Sequence, residues 1–265
     1  MEVPRTTSGR ALEKSAVLIT GGTSGVGLAA AQRFAEAGVP QIALVGRDGT
    51  RGENALAAVK KRHPDVDVAF IAADAHVPSE ATRITAAARA RFGRIDVLVN
   101  STVGPFAPAL LHNTSIDDIQ PILLAQIMGP LLMSRAVLPV MRGAGGGVIL
   151  NISSDAGKLA TPGETVIGAA MAGIIMFSRT LAIEAKRDGI RVNALTPSLI
   201  EGTLTSERMS NDAFATRLFD KARAAARLGV VVPEDMAELI VFLASPQAAR
   251  ITGQAISVNG GISAA

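Results

Sequence analysis

Residues 16–27, Ala-Val-Leu-Ile-Thr-Gly-Gly-Thr-Ser-Gly-Val-Gly, decide the fold of this chain. An apolar run typical of a buried strand leads into three spaced glycines, and an amphipathic helical pattern follows over residues 28–37. The stretch therefore predicts a strand, a tight turn and a helix. Gly21 permits a turn conformation that a Cβ would forbid, Gly25 lets backbone N–H groups approach a phosphate, and Gly27 lets the helix pack closely on the strand.

The same turn predicts a dinucleotide site. A diphosphate would lie at the positive end of the helix, where backbone N–H groups have no partner within the helix. Thr23 and Ser24 add hydroxyl donors, and Val26, between the last two glycines, belongs to the same predicted site. Many turns are rich in glycine, so this motif needs support from the rest of the chain.

Composition excludes several classes of protein. The net charge of +3 is small and the basic residues are dispersed, which argues against a nucleic-acid partner. The chain has no cysteine and its three histidines are scattered, so we expect no metal site. The polar N-terminus resembles no signal segment and no uninterrupted apolar run is long enough to cross a membrane. We therefore expect a cytoplasmic protein.

Strand and helix patterns alternate along the 265 residues, which predicts one α/β domain with a parallel sheet over residues 15–265, after a flexible segment at 1–14. Pro130 predicts a kink or break in a long helix at 115–141. Residues 200–228 are polar and helical in pattern, and we expect them to form a lid over the site. The remaining strands are predicted at 41–46, 66–73, 95–99, 148–152, 190–195 and 255–258, and the other helices at 53–62, 78–92, 165–186 and 233–244.

Polar residues follow two of the predicted strands, at the edge of a parallel sheet where ligands bind. Asp74 can accept a hydrogen bond from an adenine amino group, with Ala75 beside it, and Asn100 can bridge the backbone and a ribose. Either could instead be an ordinary turn residue.

Arg47 indicates which dinucleotide would bind. An acidic residue that binds the ribose hydroxyls of NAD usually lies about 20 residues past the glycines. Here Gly46 and Arg47 occupy that place, and an arginine attracts a 2′-phosphate that an acid would repel. We therefore predict NADP(H), with a plain surface arginine as the alternative.

Together these features resemble the short-chain dehydrogenase/reductase family over almost the whole chain. The matches are T-G-x-x-x-G-x-G at 20–27, the aspartate at 74, the first asparagine of N-N-A-G at 100, R-V-N and a proline within 191–197, and the carboxyl-terminal signature at 251–261. The resemblance implies a Rossmann-type, doubly wound, parallel seven-stranded sheet with helices on both faces, a nicotinamide cofactor, and a homodimer or homotetramer. Pro197, Ile200 and Thr203 are expected to bind the cofactor.

The active-site motif departs from this family. In the family, a serine after the fifth strand is followed by a tyrosine that protonates the carbonyl oxygen and by a lysine that lowers the tyrosine pKa. Ser154 matches the serine and would hydrogen-bond that oxygen, but the family spacing leads to Ile167 and Met171. The chain contains no tyrosine, so no other register restores the motif. Gln126 stands where the family has an asparagine, which makes it a further candidate.

Ile167 and Met171 lie one helical turn apart and would present an apolar wall, with Val103, Phe106 and Leu159 nearby. Such a wall suits a large hydrophobic substrate. We therefore predict an NADPH-dependent ketoreductase, similar to those that tailor aromatic polyketide antibiotics of the angucyclinone kind, in which a hydroxyl of the substrate or solvent supplies the proton.

Two other classes remain open. The apolar face could be core packing left after catalysis was lost, which would make the chain an inactive dinucleotide-binding sensor or scaffold. An isomerase or cyclase using the old cleft is a third possibility, which the intact glycine motif disfavours.

Overall fold

The computed structural model of the chain describes residues 10–209 and 213–264. The strands are β1 (Ala16–Thr20), β2 (Gln41–Gly46), β3 (Asp67–Ala72), β4 (Val97–Asn100), β5 (Gly147–Ile152), β6 (Ile190–Pro197) and β7 (Ala255–Val258). The helices are α1 (Gly25–Glu36), α2 (Gly49–Arg62), α3 (Pro78–Phe92), α4 (Ile116–Gly143), α5 (Thr165–Ala185), α6 (Leu204–Met209), α7 (Ala213–Ala225) and α8 (Pro233–Ala244).

The strands form one seven-stranded sheet in the order β3-β2-β1-β4-β5-β6-β7, and every pair is parallel. The order reverses between β1 and β4, which are hydrogen-bonded neighbours although β2 and β3 separate them in the chain. This reversal opens a cleft at the carboxyl ends of the strands. The predicted doubly wound α/β fold is confirmed.

Helices cover both faces of the sheet, and the central strands β1 and β4 are therefore buried on both sides. Along β1, Val17 and Ile19 pack into the core under α1, α2 and α8, whereas Ala16 and Leu18 pack into the core under α3, α4 and α5. Phe34 of α1 is fully buried in the first of these cores. The two cores hold the strand ends, and so the cleft, in place.

Of the kink or break predicted at Pro130, the break does not occur, because α4 runs as one helix from Ile116 to Gly143. Pro130 has no N–H to donate to the carbonyl of Gln126, a loss that would disfavour an isolated helix. Pro130 is buried, however, and Met133, Val137 and Met141 on the following turns pack into the core. Tertiary packing therefore carries the helix through the proline.

Two helices, α4 and the stretch Thr165–Asp188 that contains α5, are long and apolar enough to span a membrane by length and composition. In this fold they pack on the same face of the sheet, and part of each is buried there. The burial of their inner faces accounts for their apolar character.

The start of the domain differs from the prediction. Residues 1–9 of the expected flexible segment lie outside the described residues, but Leu12–Lys14 form a short 3-10 helix and Leu12 is buried in the core. The domain therefore begins before the predicted boundary at residue 15. The expected lid is helical where it is described, as α6 and α7, and residues 210–212 lie outside the described chain.

Candidate active site

The turn after β1 has the geometry that its glycines predict. Gly21 has φ +68° and Gly25 has φ +49°, both in the left-handed region that glycine favours. A Cβ on Gly21 would lie 2.4 Å from the carbonyl oxygen of Ser101, and one on Gly27 would lie 2.3 Å from the carbonyl oxygen of Gly21. Ser24 precedes α1 without capping it through its side chain, so its first N–H groups remain available to a ligand.

A cavity of about 400 Å³ extends from this turn along the carboxyl ends of the strands. Most predicted cofactor-binding residues line it: Gly21, Thr23, Ser24, Gly25, Val26, Arg47, Asp74, Ala75, Pro197, Ile200 and Thr203. Gly27 and Asn100 are buried behind its surface. The fold therefore brings the predicted residues together, with those two in supporting positions.

The side chain of Asn100 belongs to a buried polar ladder. Its Oδ1 accepts a hydrogen bond of 3.2 Å from Oγ1 of Thr20, and its Nδ2 donates one of 2.8 Å to Oδ1 of Asn151. Nδ2 of Asn151 then donates to Oγ of Ser178 at 2.9 Å. The ladder crosses β1, β4, β5 and α5 beneath the cavity. Asn100 thus joins the strands that carry the site, and its side chain does not line the cavity.

Arg47, a positively charged side chain, and Asp74, a hydrogen-bond acceptor, lie at the far end of the cavity. Arg47 follows β2 and is 68% exposed, with Nη1 3.8 Å from Oδ2 of Asp74. Oδ1 of Asp74 accepts hydrogen bonds from the backbone N–H of His76 at 3.0 Å and pairs with its Nδ1 at 3.1 Å. Burial acts to raise the pKa of Asp74, but these hydrogen bonds and the charges of His76 and Arg47 outweigh it and lower the pKa. Asp74 is therefore an ionised acceptor.

Two buried polar atoms on the cavity wall have no hydrogen-bond partner among the described residues: Nε2 of His76 and Oγ1 of Thr102. A Cβ on Gly129 would lie 3.0 Å from the first and 2.9 Å from the second, so both atoms lie near one point of α4. Both atoms are closed off from solvent and lie against α4, so neither is open to a molecule in the cavity.

These residues fit a nicotinamide dinucleotide. The free N–H groups of α1, with Thr23 and Ser24, suit a diphosphate, and the ionised Asp74 suits an amino donor.

Ser154 follows β5 at the other end of the cavity. Its Oγ accepts a hydrogen bond of 3.2 Å from the backbone N–H of Ala156, which leaves its hydroxyl proton free to donate into the cavity. Ser153, by contrast, donates its hydroxyl to the carbonyl oxygen of Met171 at 2.9 Å and ties this segment to α5. Of the two serines, only Ser154 is therefore free to hold a carbonyl oxygen.

The predicted apolar wall forms in part. Ile167, Met171, Val103 and Phe106 line the main cavity, as does Gln126, whose Oε1 accepts a hydrogen bond of 3.1 Å from the backbone N–H of Gly104. Gln126 thus positions the loop after β4.

Leu159 departs from the expected wall. It lines a second cavity of about 260 Å³, because the chain turns away from the main cavity after Ser154. The two cavities adjoin, since Ser154, Glu164, Ser198 and Phe219 line both.

Glu164 is a site residue that the sequence reasoning missed. It precedes α5 directly, and within the described chain its carboxyl forms neither a hydrogen bond nor an ion pair. Burial raises its pKa from 4.5 to about 7. The available signal was its spacing, because Glu164 lies one helical turn before Ile167 and shares its side of α5.

Other missed residues reach the cavity from helices and loops that share no motif. His76 follows Asp74 by two positions, Arg51 lies in the first turn of α2, and Phe219 comes from α7. Of these three residues, only His76 lies next to a residue that the family motifs identify, Asp74.

Comparison with known proteins agrees with this geometry. The family model described as enoyl-(acyl carrier protein) reductase matches residues 21–263. The 3-oxoacyl-[acyl-carrier-protein] reductase of Chlamydia trachomatis is 33% identical over 255 residues, covering 96% of this chain and 99% of that protein.

Solved structures have the same fold. The crystal structure of levodione reductase superposes with a TM-score of 0.86 at 26% identity, covering 94% of this chain and 97% of that one. The 3-ketoacyl-(acyl-carrier-protein) reductase of Brucella melitensis, complexed with NADH, gives a TM-score of 0.81 at 29% identity and covers 96% and 100% of the two chains.

Proposed function

The chain belongs to the short-chain dehydrogenase/reductase family, and from that premise we propose that it is an NADPH-dependent ketoreductase acting on a large, apolar ketone. As a member of this family, it is an oxidoreductase of CH–OH and C=O groups that uses a nicotinamide cofactor. One observation supports this proposal. The glycine turn, the free hydroxyl of Ser154 and the apolar wall of Ile167 and Met171 all line the main cavity.

NADP(H) rather than NAD(H) is proposed because of Arg47. Its side chain is 68% exposed at the cavity mouth, so it can turn towards a 2′-phosphate and bind it through two N–H groups. Arg51, on the first turn of α2, lines the same end of the cavity and adds a second positive charge.

In the proposed reaction, a bound nicotinamide supplies the hydride, and the protein positions the ketone and stabilises the charge that develops on its oxygen. Ser154 donates its free hydroxyl proton to that oxygen as a hydrogen bond. Ile167 and Met171 exclude water and hold the apolar part of the ketone. Positioning of this kind can contribute about 7–11 kcal/mol to lowering a barrier.

The chain has no tyrosine, so it offers no phenol to protonate the oxygen. Loss of a general acid typically costs about 10²–10⁴ in rate, which slows carbonyl reduction without preventing it. We propose that a hydroxyl beside the ketone, or solvent, supplies this proton. An aromatic polyketide of the kind modified in antibiotic biosynthesis carries such hydroxyls and fits the apolar wall.

We also propose a cytoplasmic homodimer or homotetramer. Leu124 on α4 and Met176 and Ile183 on α5 are 44%, 58% and 62% exposed, and apolar side chains on neighbouring helices support association between copies.

A second candidate, an inactive dinucleotide-binding sensor or scaffold, is favoured by the missing tyrosine alone. NADPH oxidation against a panel of polycyclic ketones, with and without a neighbouring hydroxyl, separates the two. Reduction of panel members, seen by absorbance and by mass spectrometry of the alcohol, supports the ketoreductase. Tight NADPH binding with no turnover of any member supports the sensor or scaffold.

A further inference from the structure

We infer that Glu164 is the general acid of this site: its carboxyl gives a proton to the carbonyl oxygen held by Ser154 and takes a replacement from water in the second cavity. The inference rests on the proposed function and identifies the group through which a solvent proton reaches the substrate.

Position is the first support. Glu164 directly precedes α5, and Ile167 and Met171 lie one turn apart on that helix, where the family resemblance places tyrosine and lysine. Glu164 lines the main cavity together with Ser154, the residue whose hydroxyl is free to hold the oxygen. A proton donor one turn before the family position faces the same space.

Freedom of the carboxyl is the second support. Among the described residues, Asp155 shows how a buried carboxylate is usually engaged: it accepts hydrogen bonds from Ser257 and Ser263 and lies 3.8 Å from Nζ of Lys158. Within the described residues Glu164 has no such partner. A carboxyl that is partly buried and unpaired favours its neutral form, which carries the proton that an acid must donate.

The charged groups around Glu164 are compatible with this state. Asp155 and Lys158, on the segment after β5, pair with each other, and Lys221 of α7 lines the second cavity. Arg47, Asp48, Arg51, Asp74 and His76 line the opposite, cofactor-binding end of the main cavity.

With burial raising its pKa to about 7, Glu164 is partly protonated at neutral pH, which suits a group that donates a proton and takes it back.

The second cavity gives a route for the return of the proton. It adjoins the main cavity at Ser154, Glu164, Ser198 and Phe219, so Glu164 lies in the wall between the two. Water in the second cavity can therefore reach the carboxyl while the apolar substrate fills the first.

The proposed step balances. The carbonyl carbon gains the hydride and is reduced, while the nicotinamide that gives it is oxidised. The π pair of the C=O bond moves to oxygen and forms the new O–H bond with the proton from Glu164. The O–H bond of Glu164 breaks, leaving a carboxylate, which then takes up one proton from a hydronium ion of the solvent, so the net reaction consumes one solvent proton.

The test compares E164Q, E164D and the matched control E184Q, which changes an exposed glutamate on the same helix. Turnover is measured against pH with a ketone that lacks a neighbouring hydroxyl, and NADPH binding is followed by fluorescence. We expect E164Q to lose about 10²-fold or more in turnover with NADPH affinity unchanged, E164D to retain part of the activity, and E184Q to match the unchanged protein.

Infrared spectroscopy gives a readout besides activity. The unchanged protein should show a neutral carboxylic acid band that titrates near pH 7 and is missing from E164Q. E164Q with the full rate and pH profile of the unchanged protein, or no such band, overturns the role of Glu164 while leaving the proposed function intact. No turnover of any ketone by the unchanged protein overturns both.

Discussion

The Nδ2 group of Asn100 donates a hydrogen bond of 2.8 Å to Oδ1 of Asn151, and both side chains are completely buried. The two residues are paired in register on β4 and β5, at the carboxyl ends of these strands. Because Asn151 also donates to Ser178 on α5, this contact fixes the strand ends and α5 relative to one another. The floor of the cavity therefore rests on a polar ladder as well as on the two apolar cores.

Replacing Asn151 should destabilise the whole domain. In N151A, Asn100 and Ser178 each lose a buried hydrogen-bond partner, so we expect a loss of about 2 kcal/mol or more in the free energy of unfolding. Urea denaturation measures this loss. The control N113A changes an exposed asparagine of a short 3-10 helix and should be nearly neutral. Equal stabilities for N151A and N113A would contradict the structural role of the ladder.

Gly27 should tolerate no side chain. In G27A the methyl group would meet the backbone of Gly21, which cannot move without opening the turn, so we expect a loss of about 1–3 kcal/mol in stability and weaker NADPH binding. G49A is the matched control, because a Cβ on Gly49 at the start of α2 meets nothing within 4 Å. A G27A protein as stable and as tight for NADPH as G49A would show that this close approach is not needed.

Arg47 should set the preference between the two dinucleotides. R47A removes the cation that faces a 2′-phosphate, so we expect about a tenfold or greater rise in the Kd for NADPH and little change for NADH. R62A removes an exposed arginine at the end of α2, outside the cavity, and should leave both constants unchanged. Isothermal titration calorimetry measures the Kd values of both variants for NADPH and NADH, and these are compared with the values of the unchanged protein. An equal loss for both dinucleotides would refute the role of Arg47 in selecting the phosphate.

Glu164 should make stability depend on pH. Its folded-state pKa of about 7 lies above the ordinary 4.5, so its favourable contribution is complete below pH 4.5 and is lost as the pH rises through 7. E164Q carries no such group, so its free energy of unfolding, relative to that of the unchanged protein, should rise by about 1 kcal/mol between pH 4.5 and pH 8. This value is reduced to allow for the contact of Glu164 with solvent in the cavities. Parallel unfolding curves at all pH values would mean that Glu164 titrates normally.

The fold could be predicted largely from local patterns. Most of the strands are short and mainly apolar, and the stretch 16–27 fixes the first strand, turn and helix by the needs of its glycines. The break expected at Pro130 failed because local propensity does not include the packing of Met133 and its neighbours on the sheet. The start of the domain was not predicted for the same reason, because the burial of Leu12 before β1 depends on tertiary contacts.

The cofactor end of the site followed from the same motifs, because its residues come directly after strands. The residues that line the substrate end are harder to predict from the sequence. Its shape depends on the path of the loop after β5 and on helices that are distant in the chain. For this reason Leu159 lines the second cavity rather than the first, and Phe219 was missed. Glu164 escaped notice because a glutamate before a helix is ordinary in sequence; only its burial without a partner makes it unusual.

Hydride transfer to the ketone can be followed with NADPH that carries two deuterium atoms at C4 of the nicotinamide. The unchanged protein is incubated with this cofactor and a polycyclic ketone, and the product is examined by mass spectrometry. We expect an alcohol with deuterium on the former carbonyl carbon and an equal amount of NADP⁺. Ketone recovered without deuterium from protein that binds NADPH tightly would contradict it and favour the inactive sensor or scaffold.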